Sequence, residues 1–433
     1  MSIAMWFYHL LFPAVFVLGA PYFAWRMLKR GRAGHGLGER FGIYPVALRR
    51  KVEAMHAPLW IHAVSVGEMM LARVLVRELR RLRPGQEVVV TCTTSTGRAV
   101  AERTLEDERT AVLHTPVDAL WIVRRAFRLV RPSVVVLLEQ ELWPAQMEEA
   151  RRRGVPVWIV NARLSDRSWR RMKRWRGLLG RLCRPVAFVG LQQEADRTRM
   201  AEAGFPPHAL FHTGSMKCDV AELDGDKADL ADEVRRKLGW DASTPVVMAG
   251  STHPGEEALL LEAFCGWKAK HPDLKLFLAP RHAERAGEVM RLAEAAGWTA
   301  VRRSAAAAGA DVAVLDTTGE LRSLYPLADV VVMGKTLIAP DGQGGQNFLE
   351  AARAGRAVVC GPRVENFRAQ VEAYVRDGAL VRLADASGLA VEVDRLLGDE
   401  AARGVMGSRA RTLYQAELGA GARVAGMLAS VLK

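Results

Sequence analysis

Little in this chain is suited to hold a disulfide, a metal or a dinucleotide. Its 433 residues include five cysteines (Cys92, Cys183, Cys218, Cys265, Cys360), an odd number, widely scattered and without a C-x-x-C pair. That argues against a disulfide framework and a structural zinc site, and fits a reducing compartment. The ten histidines include no H-E-x-x-H, so no metal is expected. Acidic residues are in deficit, 48 against 61 Lys and Arg, for a net charge of +13. Such a balance points to an anionic partner: nucleic acid, an acidic membrane surface or a phosphorylated substrate. Charge is missing altogether from residues 3–25. About 20 apolar residues suffice to cross a bilayer core, and Arg26, Lys29, Arg30 and Arg32 follow at once. Positive charge on that flank places the rest of the chain in the cytoplasm. A secretory signal would carry its charges in front and a cleavage site behind, and this stretch has neither. Residues 1–32 therefore read as a membrane anchor; Pro13, Pro21 and His9 leave open whether it spans or lies kinked in the interface.

What is present is an ordinary globular composition, half apolar and a quarter charged. The length fits about two or three domains. The organising stretch is 60–79, WIHAVSVGEMMLARVLVREL. An apolar run, a tight turn at Ser65-Val66-Gly67, then apolar residues at Met69, Leu71, Ala72, Leu75, Val76 and Leu79 predict strand, turn and helix. Ligands in open α/β sheets bind at this end of a strand. Taken alone, Glu68 reads as a first-turn carboxylate supporting its helix. Gly67 is the lone glycine of the turn, which lacks the G-x-G-x-x-G of a dinucleotide site. Ala63 stands where a G-x-S-x-G elbow needs glycine, so a serine hydrolase at Ser65 is disfavoured.

Further strands are expected at 87–91, 134–138, 155–160 and 186–191, with helices over 69–83, 96–106, 119–130 and 145–153. Near-continuous apolar strands separated by helices mean a parallel sheet covered on both faces. An acidic, polar stretch at 220–244 reads as an interdomain connection with some helix. Alternation then resumes at 246–249, 274–279, 312–315, 330–333, 357–360 and 379–383; 400–433 is helical in pattern and is drawn back towards the first half. The expected fold is α/β: two doubly wound, Rossmann-like domains, 33–222 and 223–433, behind the anchor. Two such domains facing across a cleft would form the GT-B architecture of nucleotide-sugar transferases.

The motifs go further. GERFG (38–42), HAVSVGE (62–68), LEQELWP (138–144), VNARLS (160–165), GSMKCD (214–219), AGSTHPGEE (249–257), APRHAER (279–285), DTTGELRSLY (316–325), GGQNFLE (344–350) and CGPRVENF (360–367) occur in this order. Together they resemble the Kdo transferases, which move 3-deoxy-D-manno-octulosonic acid from CMP-Kdo onto a lipid A precursor (lipid IVA) in lipopolysaccharide core assembly. The resemblance implies an inverting, membrane-attached enzyme at the cytoplasmic face of the inner membrane. It implies a general base at the Glu of S-V-G-E, here Glu68. An acceptor hydroxyl needs a base, whereas CMP leaves as a phosphate and needs no acid. It also places transition-state support at Glu139 and Lys217. Without it, Glu139 and Glu141 would read as loop or capping carboxylates and Lys217 as a solvated lysine.

By the same resemblance the second domain holds CMP through Pro280, Arg281, Thr318, Gly319, Glu320 and the run Asn347, Phe348, Leu349 and Glu350. No metal and no cofactor are expected; Arg281 can neutralise phosphate bidentately. The glycine-rich approach at 342–347 reads as a phosphate cradle at a helix start, or simply as Asn347 capping with Glu350. Departures stand out: Gln346 and Phe348 replace the family's usual His and Pro, and Lys335-Thr336 a Gly-Ser pair. Gln cannot become a cation, and Lys335 is a candidate to supply that charge.

The stretch 163–184 holds nine basic residues, one Asp and two tryptophans. A solvated helix face is the ordinary reading, and nucleic acid is a second. With an anchor and a phosphorylated lipid acceptor, contact with headgroups is preferred. Two alternatives stay open: a related transferase for another nucleotide sugar, and a catalytically silent, membrane-tethered relative.

Overall fold

The structure, a computed structural model, describes Tyr8 and residues 36–139, 141–223, 229–305, 307–338 and 344–432. These fall into two compact units. One ends at Leu223 and is completed by the stretch from Leu418; the other runs between them.

The first unit is built on seven strands: β1 (Leu59–Ala63), β2 (Val88–Cys92), β3 (Thr110–His114), β4 (Val134–Leu138), β5 (Val157–Ala162), β6 (Val186–Leu191) and β7 (Leu210–His212). They pair in the order β3-β2-β1-β4-β5-β6-β7, all parallel. Strands β1 to β5 are buried at every position, because helices cover both faces. Ile61, Val90 and Val136 pack on one face against Leu71, Leu75 and Leu79 of the helix Val66–Leu82. Trp60, Val89, Val135 and Leu137 pack on the other against Phe127. Strand order reverses between β1 and β4, where Leu59 has Val88 on one side and Val134 on the other. Such a reversal opens a crevice at the carboxyl ends of the two strands.

The second unit repeats this plan. Its strands are β8 (Val246–Thr252), β9 (Lys275–Pro280), β10 (Ala300–Arg302), β11 (Val312–Val314), β12 (Val330–Met333), β13 (Ala357–Cys360) and β14 (Val381–Arg382). They pair in the order β10-β11-β9-β8-β12-β13-β14, again parallel, with the reversal between β8 and β12. Two doubly wound α/β units were expected, and two are found.

Three strands escape the sequence pattern: β3, β7 and β10. The last two are three residues long and partly exposed, too short to show a period. The expected domain 223–433 is also revised at its end. Helix Glu400–Glu417 stays with the second unit, but Ala420–Val431 packs on Val66–Leu82, burying Val424 and Leu428 in the first unit's core. The Asp219 carboxylate holds it there, accepting from the N–H groups of Gly419 and Gly421 at 2.7 Å each. The anchor expected over 1–32 lies outside the described residues apart from Tyr8, and no described helix is long and apolar enough to cross a membrane.

Candidate active site

The strand-to-helix turn after β1 is fixed by its own side chains. Ser65 is the N-cap of Val66–Leu82, and its hydroxyl oxygen accepts from the Glu68 N–H at 3.3 Å. Glu68 answers in kind: Oε2 accepts from the Val64 N–H at 2.7 Å and Oε1 from the Ser65 hydroxyl at 3.1 Å. This is a capping box in which the carboxylate reaches one residue further back than usual. The structural role of Glu68 is therefore real, and it leaves the carboxylate held in one orientation.

Its surroundings give it a second capacity. Burial pushes the Glu68 carboxyl up to about 7, the charges of Glu139 and Glu141 add to the shift, and the two hydrogen bonds oppose it. Such a carboxyl is poised to exchange a proton near neutrality. Glu139 directly follows β4, across the strand-order reversal from the β1 turn that carries Glu68. It adopts a left-handed φ of 59° and donates its N–H to Val160 O at 2.9 Å. Glu141 is held above its ordinary value by burial and by Glu139.

Neither glutamate caps the helix that follows, Pro144–Arg153. Asp118 does so, accepting from Ala145 and Gln146 N–H at 2.9 and 3.0 Å and from the Tyr8 hydroxyl at 2.8 Å. No sequence signal at 118 pointed to this, since the capping residue comes from a distant loop. Lys217 opens the helix Lys217–Ala221. Burial holds its ammonium below the ordinary lysine value and Arg163 pushes the same way, while Glu139 opposes. Glu68, Glu139 and Lys217 are thus brought into one electrostatic neighbourhood, with Glu141 and Arg163 added.

In the second unit, Pro280 closes β9 and Arg281 follows, exposed, donating its N–H to Thr252 O at 2.9 Å. Thr318 and Gly319 form an exposed turn. Glu320 is buried, paired with Arg303 at 2.9 Å and accepting from the Thr317 hydroxyl at 2.5 Å, so its carboxylate already supports the turn. Asn347 accepts from Leu349 N–H and donates to Glu350 Oε1, both at 3.3 Å. Burial raises the Glu350 carboxyl, and Arg322, Asn347, Arg281 and Arg353 pull it back. Arg281, Asn347 and Glu350 therefore come together; Phe348 and Leu349 are core residues, Phe348 stacking edge-on against Tyr374 at 4.9 Å. The helix after the glycine-rich approach is only Leu349–Arg353. One turn carries little macrodipole, which weakens the phosphate cradle expected from sequence. Gly342 and Gln343 lie outside the described residues.

One residue of this unit was not anticipated. Glu256 is fully buried and accepts five backbone N–H bonds: Oε1 from Thr336, Leu337 and Ile338 at 3.0, 3.0 and 3.3 Å, and Oε2 from His253 and Lys335 at 2.9 and 2.7 Å. It fixes the loop after β12 against the end of β8. A methyl at Gly334 would lie 2.2 Å from Ser251 O, so the two strand ends touch backbone to backbone. Lys335 itself has φ 55°, a left-handed backbone that residues with a side chain seldom adopt.

The described residues include six non-glycines at positive φ, and four of them, Glu139, Asn161, Ser251 and Lys335, sit at or just beyond the carboxyl ends of β4, β5, β8 and β12. Three of the four, on β4, β8 and β12, lie at strands that flank the strand-order reversals. Among the described residues, no group of three or more His, Cys, Asp or Glu could hold a metal ion.

Comparison with known proteins supplies the family. Residues 35–220 match the family described as 3-Deoxy-D-manno-octulosonic-acid transferase (kdotransferase). A 3-deoxy-D-manno-octulosonic acid transferase of Bordetella pertussis is 34% identical over 421 residues, 93% of this chain and 94% of that protein. One of Haemophilus influenzae is 30% identical over 417 residues, 94% and 93% of the two chains. The crystal structure of a glycosyltransferase from Rickettsia africae shares the fold at a TM-score of 0.58, with 12% identity, covering 88% of this chain and 100% of that one. Ordered motifs, two doubly wound sheets and full-length relatives converge: this chain belongs to the 3-deoxy-D-manno-octulosonic acid (Kdo) transferase family.

Proposed function

We propose that the chain transfers Kdo from CMP-Kdo to a lipid A precursor with inversion, and that Glu68 is the general base. The observation that carries the reading is the Glu68 carboxyl itself: buried, oriented by two hydrogen bonds, and raised to about 7 by burial and its acidic neighbours. At that value it is substantially ionised at neutral pH yet basic enough to accept a hydroxyl proton. The acceptor oxygen attacks the anomeric carbon as Glu68 takes its proton. The bond from that carbon to the phosphate oxygen breaks, and its electron pair leaves with CMP. Lys217, with Glu139 beside it, offsets negative charge on the sugar carboxylate or the departing phosphate. The nucleotide is assigned to the second unit, with Arg281 on phosphate and Asn347 and Glu350 as polar partners.

The test is direct: purified protein, CMP-Kdo and a tetraacyl lipid A precursor, with products read by mass. One or more Kdo additions are expected, with activity retained in chelator and CMP bound in preference to UDP. A preference for UDP would point to a different nucleotide sugar, in line with Gln346, Phe348 and Lys335. Activity abolished by chelator and restored by Mg²⁺ or Mn²⁺ would overturn the metal-free reading.

The protein is placed at the cytoplasmic face of the inner membrane, held by its N-terminal segment and the 163–184 surface. That surface consists of the helices Asp166–Arg174 and Arg176–Leu182, with Trp175 59% exposed between them. Lys173 is partly committed, 2.9 Å from Glu202, whereas Arg170, Arg171 and Arg174 face solvent. Reversing these three arginines to Glu should lower affinity for anionic vesicles several-fold, and added salt should mimic the change. Unchanged affinity in a flotation assay would reduce the surface to a solvated helix face.

A further inference from the structure

Asn161, the last residue but one of β5, is fully buried in the left-handed region at φ 61°. Its side-chain Oδ1 accepts from the N–H of Met216, the residue before Lys217, at 3.0 Å. Its carbonyl accepts from Gln192 Nε2 at 2.7 Å, which pins the strand end from the other side. One residue earlier, Val160 O accepts from Glu139 N–H at 2.9 Å. Two consecutive residues of β5 therefore set the positions of two site residues arriving from distant parts of the chain. Its amide is also costly as built: Nδ2 is buried without a hydrogen-bond partner among the described residues. A non-glycine at positive φ and an orphaned buried donor are both features that folds retain only where something else requires them.

We infer that Asn161 is a positioning residue of the transfer reaction, fixing Lys217 against Glu139 through the Met216 N–H. The inference rests on the reading that Lys217 and Glu139 serve transfer. Asn is suited to the task because it tolerates the left-handed backbone and reaches out with an acceptor at the same position. Arg163, Glu139 and Cys218 act electrostatically on Lys217 alongside its burial, so its titration reports on whether its seat is kept.

Asn161→Gly removes the acceptor and the orphan amide while relieving the backbone. Its thermal midpoint is expected somewhat below that of the wild type, because the buried Met216 N–H loses its acceptor, and kcat at a temperature where the variant is folded should fall about 10–100-fold, since displacing a reacting group by about 1 Å can cost 10²-fold. Donor KM should move less. Acylation of Lys217, followed by peptide mass against pH, should show its midpoint rising towards an ordinary lysine as burial is lost. Asn161→Asp keeps both the left-handed backbone and the acceptor and should restore most of the turnover. A folded Asn161→Gly with wild-type transfer and an unmoved Lys217 titration overturns the inference. Should that variant fail to fold, Asn161→Asp decides: turnover within about threefold of the wild type supports the positioning role, and a loss as deep as that of Lys217→Met overturns it. Wild-type transfer by Lys217→Met would instead sink the underlying site reading, whatever Asn161 does.

Discussion

Glu68→Gln is expected to lose about 10²–10⁴ in transfer rate, the usual contribution of a positioned general base, with little change in stability or CMP-Kdo binding. The local structure makes this a clean exchange. A glutamine oxygen can still accept from the Val64 N–H, now made at 2.7 Å, and the Ser65 hydroxyl can turn to accept from the new amide. What cannot be replaced is the site for the proton. The loss should fall on kcat, because the interaction matters mainly in the transition state. In the wild type, rate should rise with pH through about 7, since Glu68 must be deprotonated to act and its carboxyl titrates there. Glu68→Gln should lack this limb.

Glu139→Gln supplies the contrast. It should also slow transfer, but the limb should remain and move to lower pH, because the Glu139 charge is one of the causes that raise Glu68. His62 cannot stand in as the source: burial lowers it to about 4, so it is neutral throughout this range. Near wild-type turnover by Glu68→Gln at matched thermal stability would remove it as base and reopen the choice between Glu139 and Glu141.

Much of this was legible because the apolar strands are long and the turns between them short. The run 134–138 is buried at every position, and its five residues, three of them valine, fit a strand in length and composition. The strand–turn–helix at 59–82 shows in the change of apolar period along one stretch, whereas Glu68 there reads alone only as a first-turn carboxylate and becomes a candidate base through the family resemblance. What stayed hidden depends on partners distant in sequence. Asp118 caps Ala145 and Gln146, and Asp219 secures Gly419 and Gly421, some 200 positions away. Neither carboxylate has a local pattern that would single it out. Asn161 was visible only as a letter in VNARLS; its left-handed backbone and its bond to Met216 belong to the folded sheet. In the second unit the motif around Asn347 was read as surface for the nucleotide, but Phe348 and Leu349 face the core. A short motif records which residues matter together, and it does not say which way each one points.

Replacing Glu256 should have the second large effect, on stability rather than on chemistry. Five backbone N–H groups converge on one carboxylate, four of them from consecutive residues, Lys335 to Ile338. A leucine of similar size would leave all five without that acceptor. Each buried donor left unsatisfied costs about 1–3 kcal/mol, and the bonds to Thr336 and Leu337 are fully buried. Even if water recovers the rest, Glu256→Leu should destabilise the second unit by at least about 2 kcal/mol. Glu256→Gln should fall between, because one amide oxygen can serve one side of the cluster while its NH₂ is turned against donors on the other. The loss should be local. Hydrogen exchange should quicken in peptides spanning 246–256 and 330–338 and stay slow in 59–63 and 134–138 of the first unit. Donor binding should weaken with it, since the loop that Glu256 holds passes its Lys335 carbonyl to Gly345 N–H at 2.7 Å and so carries the approach to Asn347. If Glu256→Leu shows unchanged exchange across 330–338, the loop is held by the close backbone packing at Gly334 and Gly361 instead. Substituting alanine at those glycines would then produce the loss expected here of Glu256.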